Sequence, residues 1–251
     1  MLKLGPLVLD GAVPRVAVSF SDTAVKADID GAHDAGLDIA EIRIDRFKSA
    51  DPAYVTGRLK LFSHVPTIAT IRIAGEGGEW KGSDTERGDL YEAILPHVDA
   101  VDIELASKDV LARVGPLARE QGKLLIVSFH DFQATPDLAA LKNIVRQAEV
   151  AGADIVKVAT LISGVDDVRL LAELLVGQQR KNLIVIGIGS DGVITRLLFP
   201  GLGSLVTFAY LGNLQTAPGQ LPYPAMFEQL RQLYPAYYQE KSVGLRLPEK
   251  S

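Results

Sequence analysis

Short apolar runs rich in β-branched residues recur along the chain, and each is followed by a stretch whose apolar positions return every three or four residues. Eight such runs are read as strands: 15–20, 38–45, 67–73, 101–105, 124–130, 155–160, 183–188 and 205–211. The intervening patterns predict helices over 24–35, 52–62, 84–95, 108–120, 136–151, 166–179 and 193–198, with a last one at 224–233 after the eighth strand. Helix-start chemistry supports two of them: Asp51-Pro52 and Thr135-Pro136 put proline at a first helical position, where its missing N–H costs no bond.

Strand followed by helix, repeated eight times, is the signature of a parallel sheet built from βα units. A closed (β/α)8 barrel typically takes about 250 residues, and this chain has 251. It is therefore expected to form one barrel domain over residues 1–251, since no Pro/Ser-rich linker, low-complexity tract or fixed repeat divides it. An open doubly wound sheet is the competing architecture, but it usually has fewer strands.

Composition narrows the function classes. The chain has no cysteine, which removes disulfides, thiolate metal sites and thiol catalysis. Its formal charge of -5 is spread among mixed acids and bases, with no basic stripe to neutralise a phosphate backbone, so nucleic acid is not expected as a partner. Residues 1–10 lack a basic segment leading into an apolar stretch, and no run of about 18 apolar residues occurs. A soluble, unexported cytoplasmic protein without membrane contact is the expectation.

Strand side chains alternate between faces, so every second residue of a barrel strand points inward. On that parity Glu41, Arg43 and Asp45 share the inner face of the second strand, Thr70 and Arg72 that of the third, Asp102 and Glu104 that of the fourth. Ser128 and His130 follow on the fifth, Lys157 on the sixth, and Ser19 on the first. Any one of these could be a structural ion pair. A barrel interior built for stability alone holds branched apolar residues, so the whole set points to a site for a small polar molecule. Lys157 stands out, because a buried ammonium costs several kcal/mol unless paired, and a desolvated amine can attack a carbonyl.

His33, His64 and His97 fall near helix ends or loops on the opposite side and read as solvated. One imidazole among cationic side chains does not make a metal site, so no metal is expected. The loop Gly189-Ser190-Asp191-Gly192 has the look of a phosphate cradle after a seventh strand, or of a plain turn. The segment 215–220 reads as a lid or, equally, a turn.

Taken in order, Glu41-Ile-Arg43-Ile-Asp45, Arg72 through Glu76-Gly-Gly, Ser128-Phe-His130-Asp-Phe, Lys157-Val-Ala, Gly192-Val-Ile-Thr-Arg196 and Ala217-Pro-Gly-Gln220 resemble type I 3-dehydroquinate dehydratase over nearly the whole chain. The resemblance implies a (β/α)8 homodimer that dehydrates 3-dehydroquinate to 3-dehydroshikimate in the shikimate route, without metal or organic cofactor. By position it makes Lys157 the imine-forming lysine, His130 the general acid/base and Glu76 the residue that orients the histidine. Arg196 becomes the clamp on the substrate carboxylate; Glu41, Arg43 and Arg72 hold ring hydroxyls and the carboxylate surroundings; Thr216 and Gln220 belong to the lid, and Ser19 to the first strand's part of the site. Two departures stand out. Thr216 replaces a frequent serine, and Ile186 and Ile188 replace methionines common on the seventh strand. The competing readings are a lysine-imine aldolase acting on a phosphorylated sugar, supported by the 189–192 loop, and a metabolite-binding barrel without turnover.

Overall fold

In the computed structural model, which describes residues 2–177, 182–212 and 214–243, eight parallel strands follow one another around a curled sheet. They are β3 (Val16–Phe20), β4 (Ile39–Arg43), β5 (Thr67–Thr70), β6 (Ala100–Glu104), β7 (Leu124–Asp131), β8 (Ile155–Leu161), β9 (Leu183–Ile188) and β10 (Thr207–Tyr210). A two-residue strand, β11 (Leu221–Pro222), adds to β10. β10 pairs in parallel with β3, so the last full strand returns to the first. Beside β9 the seam is held differently. Leu205 N–H donates to the Leu183 carbonyl at 2.9 Å, and the hydroxyls of Ser204 and Thr195 accept from the N–H groups of Val185 and Gly187. This is the (β/α)8 barrel that the alternation of patterns predicts.

The helices that follow the strands are α1 (Lys26–Asp34), α2 (Pro52–Leu59), α3 (Asp84–Ile94), α4 (Lys108–Glu120), α5 (Leu138–Val150), α6 (Val165–Gly177), α7 (Val193–Leu198) and α8 (Tyr223–Leu233). Gln178 and Gln179, the end of the sixth expected helix, lie outside the described residues. The start of α2 is as expected: Asp51 accepts from Tyr54 N–H at 2.8 Å, with Pro52 in the first turn. The start of α5 is not. Asp137 is the cap, accepting from Ala140 N–H, while the Thr135 hydroxyl is spent on the Leu161 carbonyl and the Thr160 hydroxyl.

Two elements escape the sequence pattern. A hairpin of β1 (Leu2–Leu4) and β2 (Leu7–Leu9) precedes the barrel. A ninth helix, α9 (Pro235–Val243), follows it and buries Tyr237. Glu240 and Lys241 tie α9 to Arg15 and Asp38 at the foot of the barrel.

The core has two layers. Outward-facing residues such as Val16, Val18, Ile42, Val101, Val127 and Val158 pack under helix residues Ile29, Val55, Leu90, Leu111, Leu141 and Leu171. Inside, Ala17, Ile39, Ile68, Ala100, Ile126, Ile155 and Ile184 gather with Leu4 and Leu9 of the hairpin. The hairpin therefore closes the N-terminal mouth with apolar side chains, each contributing roughly 1.5–3 kcal/mol on full burial. Strand by strand, the inward apolar residue comes first and the inward polar residues follow: Ile39 before Glu41 and Arg43, Ala100 before Asp102 and Glu104, Ile126 before Ser128 and His130. That order leaves a dry floor and a polar upper storey at the C-terminal ends, where barrels carry their sites.

Candidate active site

The polar storey opens into a small, partly apolar cleft with convergent polar groups, the kind of pocket that takes a small molecule. Glu41, Arg43, Arg72, Glu76, His130, Lys157, Arg196, Thr216 and Gln220 all line it, with Ile186, Ile188 and Phe208 as apolar walls. Ser19 stands just behind: its hydroxyl donates to Glu41 at 2.5 Å and lies 3.3 Å from the Thr216 hydroxyl. Every residue expected in the site is therefore in the cleft or one contact from it. Asp45 is displaced from the expected strand, sitting in a 3-10 turn over Ile44–Arg46, where it takes a bidentate pair from Arg43 at 2.8 and 2.9 Å.

Lys157 points into the barrel from β8, beside Ser128 of β7 in the strand register. Its amine is 2.9 Å from Asp102, 3.8 Å from Glu41 and 4.3 Å from the centre of the Phe208 ring. Parity places Asp102 and Glu104 inside the barrel, but nothing in the sequence says what they touch. Asp102 receives Lys157 on one oxygen and, on the other, Arg72 at 2.7 Å and the Ser128 hydroxyl at 2.6 Å. Burial works against charge on this carboxyl, yet Arg72 and Lys157 hold it well below the usual carboxylate range.

Glu104 continues the chain of charges. It meets Arg72 at 3.1 Å and the fully buried Arg87 of α3 at 2.8 Å, and it accepts the N–H of Ile73. The Ile73 bond sets the short 3-10 turn Ala74–Glu76 that delivers Glu76 to the cleft. Gly77 ends that turn at φ 79°, and the Phe132 ring lies so close over it that a Cβ would meet the ring at 2.5 Å.

Glu76 receives both the backbone N–H and Nδ1 of His130 on the same oxygen, each at 2.9 Å. With the proton on Nδ1, the assignment this contact favours, Nε2 keeps its lone pair for the cleft. Burial, reinforced by the nearby cations Arg72 and Lys157, holds the imidazole well below its usual pKa, and burial pushes the Glu76 carboxyl up to about 7.

Arg196, on α7, is 2% exposed and has no carboxylate partner among the described residues. Its Nε is buried without a hydrogen bond, and its terminal nitrogens reach only the carbonyls of Phe208 and Pro218 at 3.4 and 3.5 Å. Burial alone brings this guanidinium down to about 10. An uncompensated buried cation is costly, and a ligand anion would relieve it.

The 215–220 segment folds over this corner. Gln220 Oε1 accepts from the N–H groups of Thr216 and Ala217, and Gly189 N–H donates to the Pro218 carbonyl at 3.1 Å. Gly219 makes the approach possible: at φ 81°, its Cβ would stand 2.2 Å from the Gly189 carbonyl oxygen. Gly219→Ala is accordingly expected to speed hydrogen exchange across residues 214–220 while global unfolding stays nearly unchanged, since the change is confined to a surface turn. The phosphate-cradle reading of 189–192 loses part of its donor set. The N–H groups of Gly189, Gly192 and Val193 all go to backbone carbonyls.

Among the described residues, no group of three or more His, Asp or Glu could hold a metal ion. No described helix is long and apolar enough to cross a membrane. His33 and His64 pack edge to face, 5.4 Å apart, and neither they nor His97 lines the cleft.

Comparison with known proteins gives the family. The family model for type I 3-dehydroquinase matches residues 16–239. A 3-dehydroquinate dehydratase from Methanococcoides burtonii is 36% identical over 225 residues, spanning 88% of this chain and 94% of that protein. Another, from Methanothermobacter thermautotrophicus, is 38% identical over 205 residues, 81% and 89% of the two chains. The crystal structure of the Aquifex aeolicus dehydratase superposes with a TM-score of 0.78 at 32% identity, covering 88% of this chain and 99% of that one. The type I enzyme of Clostridium difficile does so with 0.85 at 26%, covering 94% and 98%. The chain belongs to the type I 3-dehydroquinases, hydro-lyases that dehydrate 3-dehydroquinate.

Proposed function

We propose that this chain converts 3-dehydroquinate to 3-dehydroshikimate through an imine on Lys157, with His130 moving the protons. One observation supports this above others: a buried amine and an imidazole with a free Nε2 open into one cleft from adjacent strands. His130 pairs in register with Ala159, two residues beyond Lys157, and neighbouring strands lie about 4.8 Å apart. A six-membered ring held at Lys157 through its ketone thus brings the adjacent carbon to the histidine. Iminium formation makes that carbon's hydrogen acidic, His130 removes it, and the enamine expels the neighbouring hydroxyl, which leaves as water with the proton His130 returns. Hydrolysis of the iminium releases the enone. The related Clostridium difficile structure carries covalently modified comenic acid, in keeping with covalent chemistry in this fold family.

Arg196 takes the substrate carboxylate, the anion its buried fork lacks. Glu41, held by Ser19 and Thr70, and Arg43, held by Asp45, face the ring hydroxyls. Arg72 lines the cleft but spends its terminal nitrogens on Ser128, Asp102 and Glu104, so its part is to hold Asp102. The lid residues Thr216 and Gln220 close the carboxylate corner. A phosphosugar aldolase is less well served here, because the amides of Gly189, Gly192 and Val193 are bonded to backbone carbonyls. A barrel that only binds its ligand would not need a neutral imidazole beside a lysine.

Appearance of the conjugated enone's absorbance from 3-dehydroquinate tests the reaction; purified protein that leaves the substrate unchanged would refute it. Arg196→Lys is expected to raise KM roughly 10- to 100-fold with a smaller change in kcat, because a point charge cannot give two parallel bonds, and a bond to a charged group is worth about 1.5–3 kcal/mol. An unchanged KM would remove the clamp.

A further inference from the structure

We propose that Asp102 is the fixed counter-ion of the reaction, holding the Lys157 amine in place and keeping the imine nitrogen protonated once the substrate is attached. The inference rests on the imine reading above.

The geometry is specific. Asp102 is buried on β6 at 1% exposure, and its Oδ2 lies 2.9 Å from Nζ. Its other oxygen is fixed by Arg72 at 2.7 Å and the Ser128 hydroxyl at 2.6 Å. Arg72 is fixed in turn by Glu104, and Glu104 by Arg87. A carboxylate braced on three sides cannot follow a moving charge. It can only define where a charge is stable.

Charge bookkeeping shows why that matters. The ammonium and the ketone condense to an iminium and one water: nitrogen bonds to carbon, the ketone oxygen leaves with two protons, and one N–H remains. The amine gives up one proton to attack and that proton leaves in the water, so the positive charge is back on the same atom in the iminium and Asp102 has its partner at both ends of the step. When His130 takes the proton from carbon, the charge passes from nitrogen to the imidazole, which also lies in the field of Asp102. It returns to nitrogen when the hydroxyl leaves as water. One positive charge circulates around one stationary anion, with Arg72 and Ser128 satisfying Asp102 while the nitrogen is neutral.

The other neighbours of the amine fit this role less well. Glu41 is farther, at 3.8 Å, and its oxygens already accept from Ser19 and Thr70. The Phe208 ring from β10 offers only its face, β9 turns Ile184 and Ile186 inward, and Arg72, Arg196 and His130 add positive or neutral groups. Asp102 is the anion in direct contact.

The test is the pH dependence of turnover, together with borohydride trapping, in wild type, Asp102→Asn, Asp102→Glu and Glu41→Gln. Asp102→Asn is expected to lower kcat about 10²-fold, the scale for losing one preorganised electrostatic group. Its alkaline limb should move to lower pH by roughly 1–3 units, because the nitrogen now loses its proton more easily. Asp102→Glu keeps the charge and should keep the limb near its wild-type position despite a lower rate; should the asparagine variant not fold, this variant carries the test. Glu41→Gln should weaken substrate binding and leave the limb in place. An unmoved limb in Asp102→Asn, a moved limb in Asp102→Glu, or a limb that follows Glu41 instead would each overturn the proposal. Wild type that yields no trapped adduct would instead refute the imine on which the proposal stands.

Discussion

Lys157→Ala is expected to lose roughly 10⁴–10⁶ of the turnover on 3-dehydroquinate, the range seen when a covalent nucleophile is removed, while still binding the substrate. Without the amine no iminium forms, and the hydrogen beside an ordinary ketone is too weakly acidic for an imidazole to remove. No neighbour can substitute. Arg72 is tied to Asp102, Ser128 and Glu104, and Arg196 lies across the cleft on α7. The fold should survive, because Asp102 keeps Arg72 and Ser128 as partners. Affinity should survive too, since Arg196, Glu41 and Arg43 are untouched. Enone absorbance with calorimetric titration reads both quantities; turnover within tenfold of wild type would mean that the chemistry does not pass through this nitrogen.

His130→Ala should cut kcat roughly 10²–10⁴-fold, the usual worth of a positioned proton carrier, and change substrate affinity only slightly. The substrate should still condense with Lys157, so the variant is expected to accumulate an adduct that turns over slowly. The same residue sets an expectation for pH. His130 must be unprotonated to accept the proton, and burial with Arg72 and Lys157 nearby keeps its pKa below the ordinary value of 6.5. Activity should therefore persist on the acid side, with the acid limb of kcat/KM falling below pH 6.5. A limb above that value, or a variant that binds poorly and turns over well, would assign the proton to another group.

The barrel and most of its site are legible in the sequence because both rest on periodicity. Alternation within a strand places Glu41, Arg43, Asp102, Ser128 and Lys157 on one face without any knowledge of tertiary structure, and repetition of strand and helix sets the closure. What parity cannot give is partnership. That Asp102 touches Lys157 depends on the lateral offset of β6 from β8 across a closed barrel, and 55 residues separate the two in sequence. Asp45 shows the limit of the pattern in the other direction. Its alternation continues past the last ladder bond of β4, but the chain has already turned into a 3-10 segment.

The hairpin and α9 stay hidden for a different reason. Leu2–Leu4 and Leu7–Leu9 are too short to show a period, and their stability comes from plugging the barrel floor with Leu4 and Leu9. Helix α9 is anchored by the buried Tyr237 and is fastened by ion pairs from Glu240 and Lys241 to residues more than two hundred positions earlier. Arg87 sits mid-helix among acids, with no local signal of burial, yet it is fully buried against Glu104. In each case a distant partner sets the outcome, and local propensity does not.

The central claim is that Lys157 becomes bonded to the substrate. Native protein mixed with 3-dehydroquinate and borohydride, then digested and read by mass spectrometry, should lose activity and gain the reduced substrate's mass on the peptide containing Lys157. A protein inactivated without an adduct, or one carrying the adduct on another lysine, would contradict it.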